Sequence, residues 1–169
     1  MVMFDEQGLP HGKSIQIKPF SEDTFLNNEE TLIALLKENM DINFPEIPID
    51  INYVIETYNK MFGYHKDGSA ILIGAFLGSR LVGFIWAYKK DFFTKRTLHV
   101  REIVVHSKAR SCGIGEKLLL EIENIAIEEG IDSLDLMCSI HNKKAAKFYV
   151  RIGFIPKRYH FEKRLIRKE

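Results

Sequence analysis

Cysteine is scarce in this chain, with two residues, Cys112 and Cys138, among 169. Two thiols make no disulfide framework, so stability must come from an apolar core, and a reducing compartment, the cytoplasm, is the expectation. An excess of either charge is lacking too. Against 23 Asp and Glu stand 24 Lys and Arg, a net charge of +1, which gives no bulk attraction to nucleic acid or to an anionic membrane. No apolar run reaches the roughly 18 residues that cross a bilayer. The start Met1-Val2-Met3-Phe4-Asp5-Glu6 has neither the basic region nor the long apolar stretch of a secretory signal. There is no internal repeat and no low-complexity tract, and no metal is expected.

What is present reads as one domain over residues 1–169. The 46% hydrophobic and 28% charged residues are those of an ordinary globular protein large enough for its own core. The charges are unevenly placed. Residues 1–60 hold 11 acidic and 4 basic side chains, whereas residues 61–169 hold 12 and 20. A basic C-terminal half suits a phosphate-rich ligand and an acidic N-terminal half a cationic one; solvated faces of uneven sign give the same counts.

Periodicity supplies the elements. Residues 14–18 alternate and predict a short strand. Leu32, Ile33, Leu35, Leu36 and Met40 recur at helical spacing over 27–40, behind Asn27 and Asn28 as cap candidates, and Phe44-Pro45-Glu46-Ile47-Pro48 ends that helix. A second helix follows over 50–62 with Asp50 as its cap. Strands over 70–77 and 81–89 flank Gly78-Ser79, a hairpin signal. Next come a strand at 98–105, a helix at 114–129 stopped by Gly130, a strand at 134–139, a helix at 142–152 stopped by Gly153, and a final strand at 154–164. This order predicts an α/β three-layer sandwich with a mixed, mostly antiparallel sheet, in which only the 98–139 crossover requires a parallel pair.

The junction Val104-Val105-His106-Ser107-Lys108-Ala109-Arg110-Ser111-Cys112-Gly113-Ile114-Gly115-Glu116-Lys117-Leu118 carries the strongest chemical signal. A glycine-punctuated turn opening into a helix gathers backbone N–H groups and the positive end of a helix dipole at one point, which suits a phosphate. Gly113 and Gly115 let a ligand approach the backbone, and Arg110 adds a cation at the mouth. A plain strand-to-helix turn uses glycines as well. Other phosphate loops do not fit. A Walker loop needs Gly-Lys-Ser/Thr where this chain has Gly115-Glu116-Lys117, and a dinucleotide fingerprint needs a third glycine where Leu118 stands.

A second run follows, Asn142-Lys143-Lys144-Ala145-Ala146-Lys147-Phe148-Tyr149-Val150-Arg151-Ile152-Gly153-Phe154. Together the two runs resemble the GCN5-related N-acetyltransferase (GNAT) superfamily. The first fits its Arg/Gln-x-x-Gly-x-Gly/Ala pyrophosphate loop and the second its Asn-x-x-Ala-x-x-x-Tyr-x-x-x-Gly-Phe helix. The resemblance implies acetyl-CoA as co-substrate and direct attack by a primary amine in a ternary complex, the acceptor being a small molecule or a peptide. A homodimer is a further expectation from proteins of this sort; nucleic acid and membrane are not expected partners.

Roles carry over residue by residue. The resemblance implies that the amides of Ser111, Cys112, Gly113, Ile114, Gly115 and Glu116, with Arg110, hold the diphosphate. Main-chain groups of Ile103, Val104 and Val105, at a splay facing Met137–Ser139, take the pantetheine arm and the acetyl oxygen. Asn142 contacts that arm or caps its helix. Tyr149 protonates the departing thiolate, phenol and thiol having reference pKa values of about 10 and about 8.5; alternatively Phe148 and Tyr149 are both core aromatics. Glu102 acts as base through a water, or is a half-exposed strand carboxylate paired with Arg101 or a neighbouring strand's lysine. His99, His106 and His141 are further base candidates. Lys143, Lys144 and Lys147 reach the nucleotide phosphate or form a solvated face, and Cys112 and Cys138 are structural.

The chain departs from the family pattern at two points. Ser111 and Cys112 stand where a glycine and a Lys or Arg are usual. Met137 stands where the subgroup that acetylates protein N-termini has a glutamate. Glu116 would repel a diphosphate unless its side chain turns away. The acceptor pocket is expected between the two N-terminal helices, their proline-containing connection and the loop Lys89–Thr97 with Phe92-Phe93. Asp41, Glu46, Asp50 and Glu56 there either bind an ammonium group or serve as caps and surface charge. Two rivals share the sequence signals: an acyl-CoA-binding regulatory module of the same fold without turnover, and an interaction scaffold without cofactor.

Overall fold

Five strands lie in chain order across one sheet in the computed structural model, which describes residues 14–92, 94–163 and 165. Strand β1 (Ile15–Pro19) pairs antiparallel with β2 (Ala70–Leu77), β2 with β3 (Arg80–Phe92), and β3 with β4 (Lys95–Val105), whereas β5 (Ser133–Leu136) runs parallel to β4. The parallel pair is the one bridged by a helical crossover, α4 (Ile114–Glu128). Helices α1 (Glu22–Leu26), α2 (Glu29–Asn43) and α3 (Ile51–Lys66) cover one face; α4, with α5 (Lys143–Arg151) beside it, covers the other. The three layers and the mixed sheet agree with the sequence pattern.

Both faces of the central strands are buried, which is why β2 reads as a nearly unbroken apolar run instead of alternating with polar residues. Phe76, Phe84, Trp86 and Val104 pack with Leu32, Leu36, Val54 and Met61 under the first helical layer. Ile73, Ala75, Ile85, Leu98 and Val100 pack with Leu118, Leu119 and Ile122 under the second. Two hydrophobic clusters thus clamp the sheet.

Several elements differ from expectation. Helix α1 is too short to show a period; Ser21 caps it by accepting from the Thr24 N–H at 3.1 Å, and fully buried Phe25 pins it by stacking on Tyr58 and Phe62. Asn28 makes no side-chain cap and instead donates to the Thr24 carbonyl at 2.7 Å. Asp50 does cap α3, accepting from the Asn52 N–H at 2.9 Å, and the helix runs on to Lys66. The expected long connection at 89–97 is mostly hairpin: β3 reaches Phe92 and β4 begins opposite it at Lys95, with Phe93 outside the described residues. The charged run there hides a strand because backbone pairing needs no apolar alternation, and Lys89 finds Glu129 at 2.6 Å.

The final strand expected over 154–164 is absent among the described residues. Positions 154–163 pair with no strand, Arg164 lies outside the described set, and Ile155, Tyr159 and Phe161 are exposed. Strand propensity alone does not make a strand without a ladder to join, and β5 offers only four residues. Among the described residues no helix is long and apolar enough to cross a membrane.

Candidate active site

β4 and β5 are paired only from Thr97 opposite Ser133 to Val100 opposite Leu136. Immediately beyond, the β3 partners jump: Ala87 faces Val100 and Trp86 faces Glu102, leaving Arg101 as the extra residue of a bulge. The bulge bends β4 away just as the chain after Leu136 leaves the sheet, so Ile103, Val104 and Val105 pair with β3 on one side and border a gap on the other. β5 stops at Leu136 and does not reach the expected Ser139. Met137, beside the gap, is 75% exposed.

The glycine loop follows directly on β4. A 3-10 turn at Ser107–Ala109 is capped by the His106 ring, which accepts from the Lys108 N–H at 3.2 Å, so this histidine is structural. Arg110 does not stand free at the mouth. Its Nε donates to the Val105 carbonyl at 2.9 Å and its Nη2 pairs with Glu38 of α2, lashing the loop to the strand and to the first helical layer. Gly113 caps α4 at φ +72°, and the first backbone bond described in the turn runs from the Lys117 N–H to the Gly113 carbonyl at 3.1 Å. The amides of Ile114, Gly115 and Glu116 therefore lie in the first turn, where a helix offers them no acceptor. Glu116 turns toward α5, its carboxylate meeting both Arg151 guanidinium nitrogens at 3.3 Å.

The loop is strained at position 111. Ser111 sits at φ +66°, a left-handed conformation that costs an L-residue about 1–2 kcal/mol. Ser111→Gly is expected to stabilise the fold by about 1 kcal/mol and Gly113→Ala to destabilise it by a similar amount, both read as shifts of a chemical denaturation midpoint. Gly115→Ala should change little, because its new methyl would meet the Phe148 ring at 3.4 Å, an ordinary contact.

Two titratable groups close the site. The half-buried Glu102 carboxyl lies against α2, where Asn39 Nδ2 donates to its Oε2 at 2.6 Å. Burial pushes its pKa above the usual carboxylate range, and the nearby Arg101 charge and the Asn39 bond only partly offset this. Tyr149 packs its ring on Phe148 and edge-on against Phe154. Burial, reinforced by the neighbouring acidic groups Cys138 and Glu102, holds its phenol well above the ordinary value. The close match of phenol to thiol expected from reference values is thus widened: Tyr149 is a firm holder of its proton. Its ring packs against the second hydrophobic cluster, as the core-aromatic reading expects, while its hydroxyl lies near Cys138 and Glu102.

The remaining candidates divide plainly. His99 is 8% exposed, beside the Tyr88 ring, and is bound at 2.6 Å to the half-exposed Asp135 on the edge strand β5. His141 lies 4.0 Å from Glu46 at the surface. Asp41 is engaged by Lys37 and Asp50 by its cap, whereas Glu46 and Glu56 are exposed. Lys143, Lys144 and Lys147 are exposed along α5. Burial raises the Cys138 thiol, the opposite of an activated nucleophile. Asn142 caps α5, its Oδ1 accepting from the Ala145 N–H at 3.1 Å. Among the described residues no group of His, Cys, Asp and Glu is arranged to hold a metal ion.

A sequence model of the Acetyltransferase (GNAT) family matches residues 30–154, which takes in the gap, the loop and α5. The chain belongs to that family. Among GNAT relatives of known structure, the PaiA N-acetyltransferase of Thermoplasma acidophilum, solved with coenzyme A, is 24% identical, with 85% of this chain and 91% of that one aligned at a TM-score of 0.70. An aminoglycoside acetyltransferase from an uncultured soil metagenomic sample is 18% identical, with 90% and 97% aligned at 0.68. At these identities the likeness is one of fold. The thialysine N-epsilon-acetyltransferase of Sus scrofa is 29% identical over 77 residues, and the matched stretch spans 45% of each protein.

Sequence reasoning missed the GNAT site's supports from α2. Glu38, Asn39 and Asn43 reach respectively Arg110, Glu102 and Asn142. One signal was available: two asparagines four apart, among the apolar positions of a helix that disfavours them.

Proposed function

We propose that the chain is a cytoplasmic N-acetyltransferase that moves the acetyl group of acetyl-CoA to a primary amine by direct attack in a ternary complex. The observation that carries this reading is that Glu102, on β4 just past its last pairing with β5, lies close enough to Tyr149 for its charge to help raise the phenol's pKa. A carboxyl of raised proton affinity suits a base working near neutral pH, and a phenol that keeps its proton suits a donor to a departing sulfur. First-turn amides of α4 supply positive potential for a diphosphate, and main-chain groups of Ile103–Val105 border the gap where the acyl arm would lie. The acceptor is a small-molecule or peptidic amine. By their names, the relatives above act on thialysine and on an aminoglycoside, both amines.

Acetyl-CoA at one hundred times its Kd should stabilise the native state by about 2.7 kcal/mol, which reads as about 5–10 °C in a thermal shift for a chain of this size. Thiol release is then followed across a panel of polyamines, lysine analogues, aminosugars and peptides. Stabilisation with no turnover on any amine would leave a binding module of the same fold; no stabilisation at millimolar ligand would leave a scaffold.

A further inference from the structure

Four hydrogen bonds run head to tail from the start of α5 through α2 and end on Glu102. The Ala145 N–H, in the first turn of α5, donates to Asn142 Oδ1 at 3.1 Å; Asn142 Nδ2 donates to Asn43 Oδ1 at 3.1 Å; Asn43 Nδ2 donates to Asn39 Oδ1 at 3.2 Å; and Asn39 Nδ2 donates to Glu102 Oε2 at 2.6 Å. The two ends fix the polarity. A backbone N–H can only donate, so Asn142 turns its oxygen to Ala145 and each amide after it presents its NH2 toward Glu102, where Oε2 accepts. The chain begins at the N-terminal end of a helix, where the dipole is positive, and aligned amides polarise one another. Each bond therefore works in the same sense, drawing negative charge onto Oε2.

We propose that Asn39 is a positioning residue that keeps Glu102 ionised at neutral pH, and that Asn43 and Asn142 back it in a relay from the helix bearing Tyr149. The inference rests on the transferase reading only for its catalytic consequence. With Oε2 occupied by Asn39, Oε1 is the oxygen left to take a proton, so one amide both raises the ionised fraction and selects the accepting atom. The charged and titratable neighbours of the carboxyl are few. Arg101 on the same strand favours the anion, Tyr149 from α5 stands protonated, and Cys138 after β5 lies beside Tyr149. From α2, Glu38 is spent on Arg110 and Lys37 on Asp41. Burial opposes ionisation, so the amide relay and Arg101 are what the site has to set against it.

The test reads proton affinity directly. In protein labelled with 13C at glutamate carboxyls, the Glu102 signal is assigned by its loss in Glu102→Gln and titrated in the wild type, Asn39→Ala, Asn39→Asp and Asn43→Ala. Removing a hydrogen bond to a charged group should raise the Glu102 midpoint by about one pH unit in Asn39→Ala, more in Asn39→Asp, and less but in the same sense in Asn43→Ala. The acidic limb of kcat/KM should move by the same amounts, a loss of up to about tenfold at a pH below both midpoints. Unmoved midpoints in both Asn39 variants, with activity lowered or not, would reduce Asn39 to a packing residue and overturn the proposal. A wild type that acetylates no amine would sink the transferase reading alone, because the carboxyl titration needs no turnover and still decides the coupling.

Discussion

Tyr149→Phe is expected to lower kcat by about ten- to a hundredfold while leaving acetyl-CoA affinity within about twofold of wild type. The substitution removes a hydroxyl and nothing else. The ring remains packed between Phe148 and Phe154, and the Phe154 N–H still donates to the carbonyl of residue 149 at 2.9 Å, so the end of α5 keeps its shape. What is lost is a donor at the place where a thiolate would leave. Because burial and the neighbouring acids hold the phenol above its ordinary value, the wild type should show no loss of activity from tyrosine ionisation below about pH 10. Steady-state thiol release and an equilibrium titration of acetyl-CoA separate the two effects. Equal turnover by the two proteins would take Tyr149 out of the chemistry; a parallel fall in affinity would assign the hydroxyl to binding.

The legible parts of this site are those whose chemistry is local in sequence. A left-handed cap at Gly113, a helix start at Ile114 and the asparagine cap of α5 are each decided within a few residues, so the sequence displays them. The sheet is legible because β2 to β4 are consecutive and joined by short turns. What stays hidden depends on partners far along the chain. Arg110 reads as a free cation until folding brings Glu38 to it across 72 positions, and Glu116 reads as a repulsive charge until Arg151 arrives. The hairpin at 89–97 and the unpaired stretch at 154–163 fail in opposite directions for one reason. Strand formation is settled by whether a ladder is available, and no window of side chains states that. The bulge at Arg101 is likewise invisible in the sequence, yet it sets Glu102 beneath α2 and separates β4 from β5.

Glu102→Gln should cut kcat/KM at pH 7 by about a hundredfold and abolish the acidic limb of its pH profile, because an amide cannot take the amine's proton. It should do so in a protein that is more stable than the wild type at alkaline pH. The glutamine carbonyl can still accept from Asn39, so the α2 contact survives. In the fold the carboxyl binds its proton more tightly than in the unfolded chain, where it titrates near 4.3. The stability gained from that neutral form is therefore complete below about pH 4 and is lost as pH rises through the raised folded value. Above it the native state holds a half-buried anion, which the neutral amide of the variant would spare. The melting temperature of the variant relative to wild type should accordingly increase as pH rises from the unfolded value through the raised folded one, by about 2–4 °C for each kcal/mol relieved. A difference that stays flat across that range would mean that the carboxylate is solvated in the native protein. Glu102 would then have the proton affinity of any surface acid, and the base would have to be sought among water and the acceptor itself.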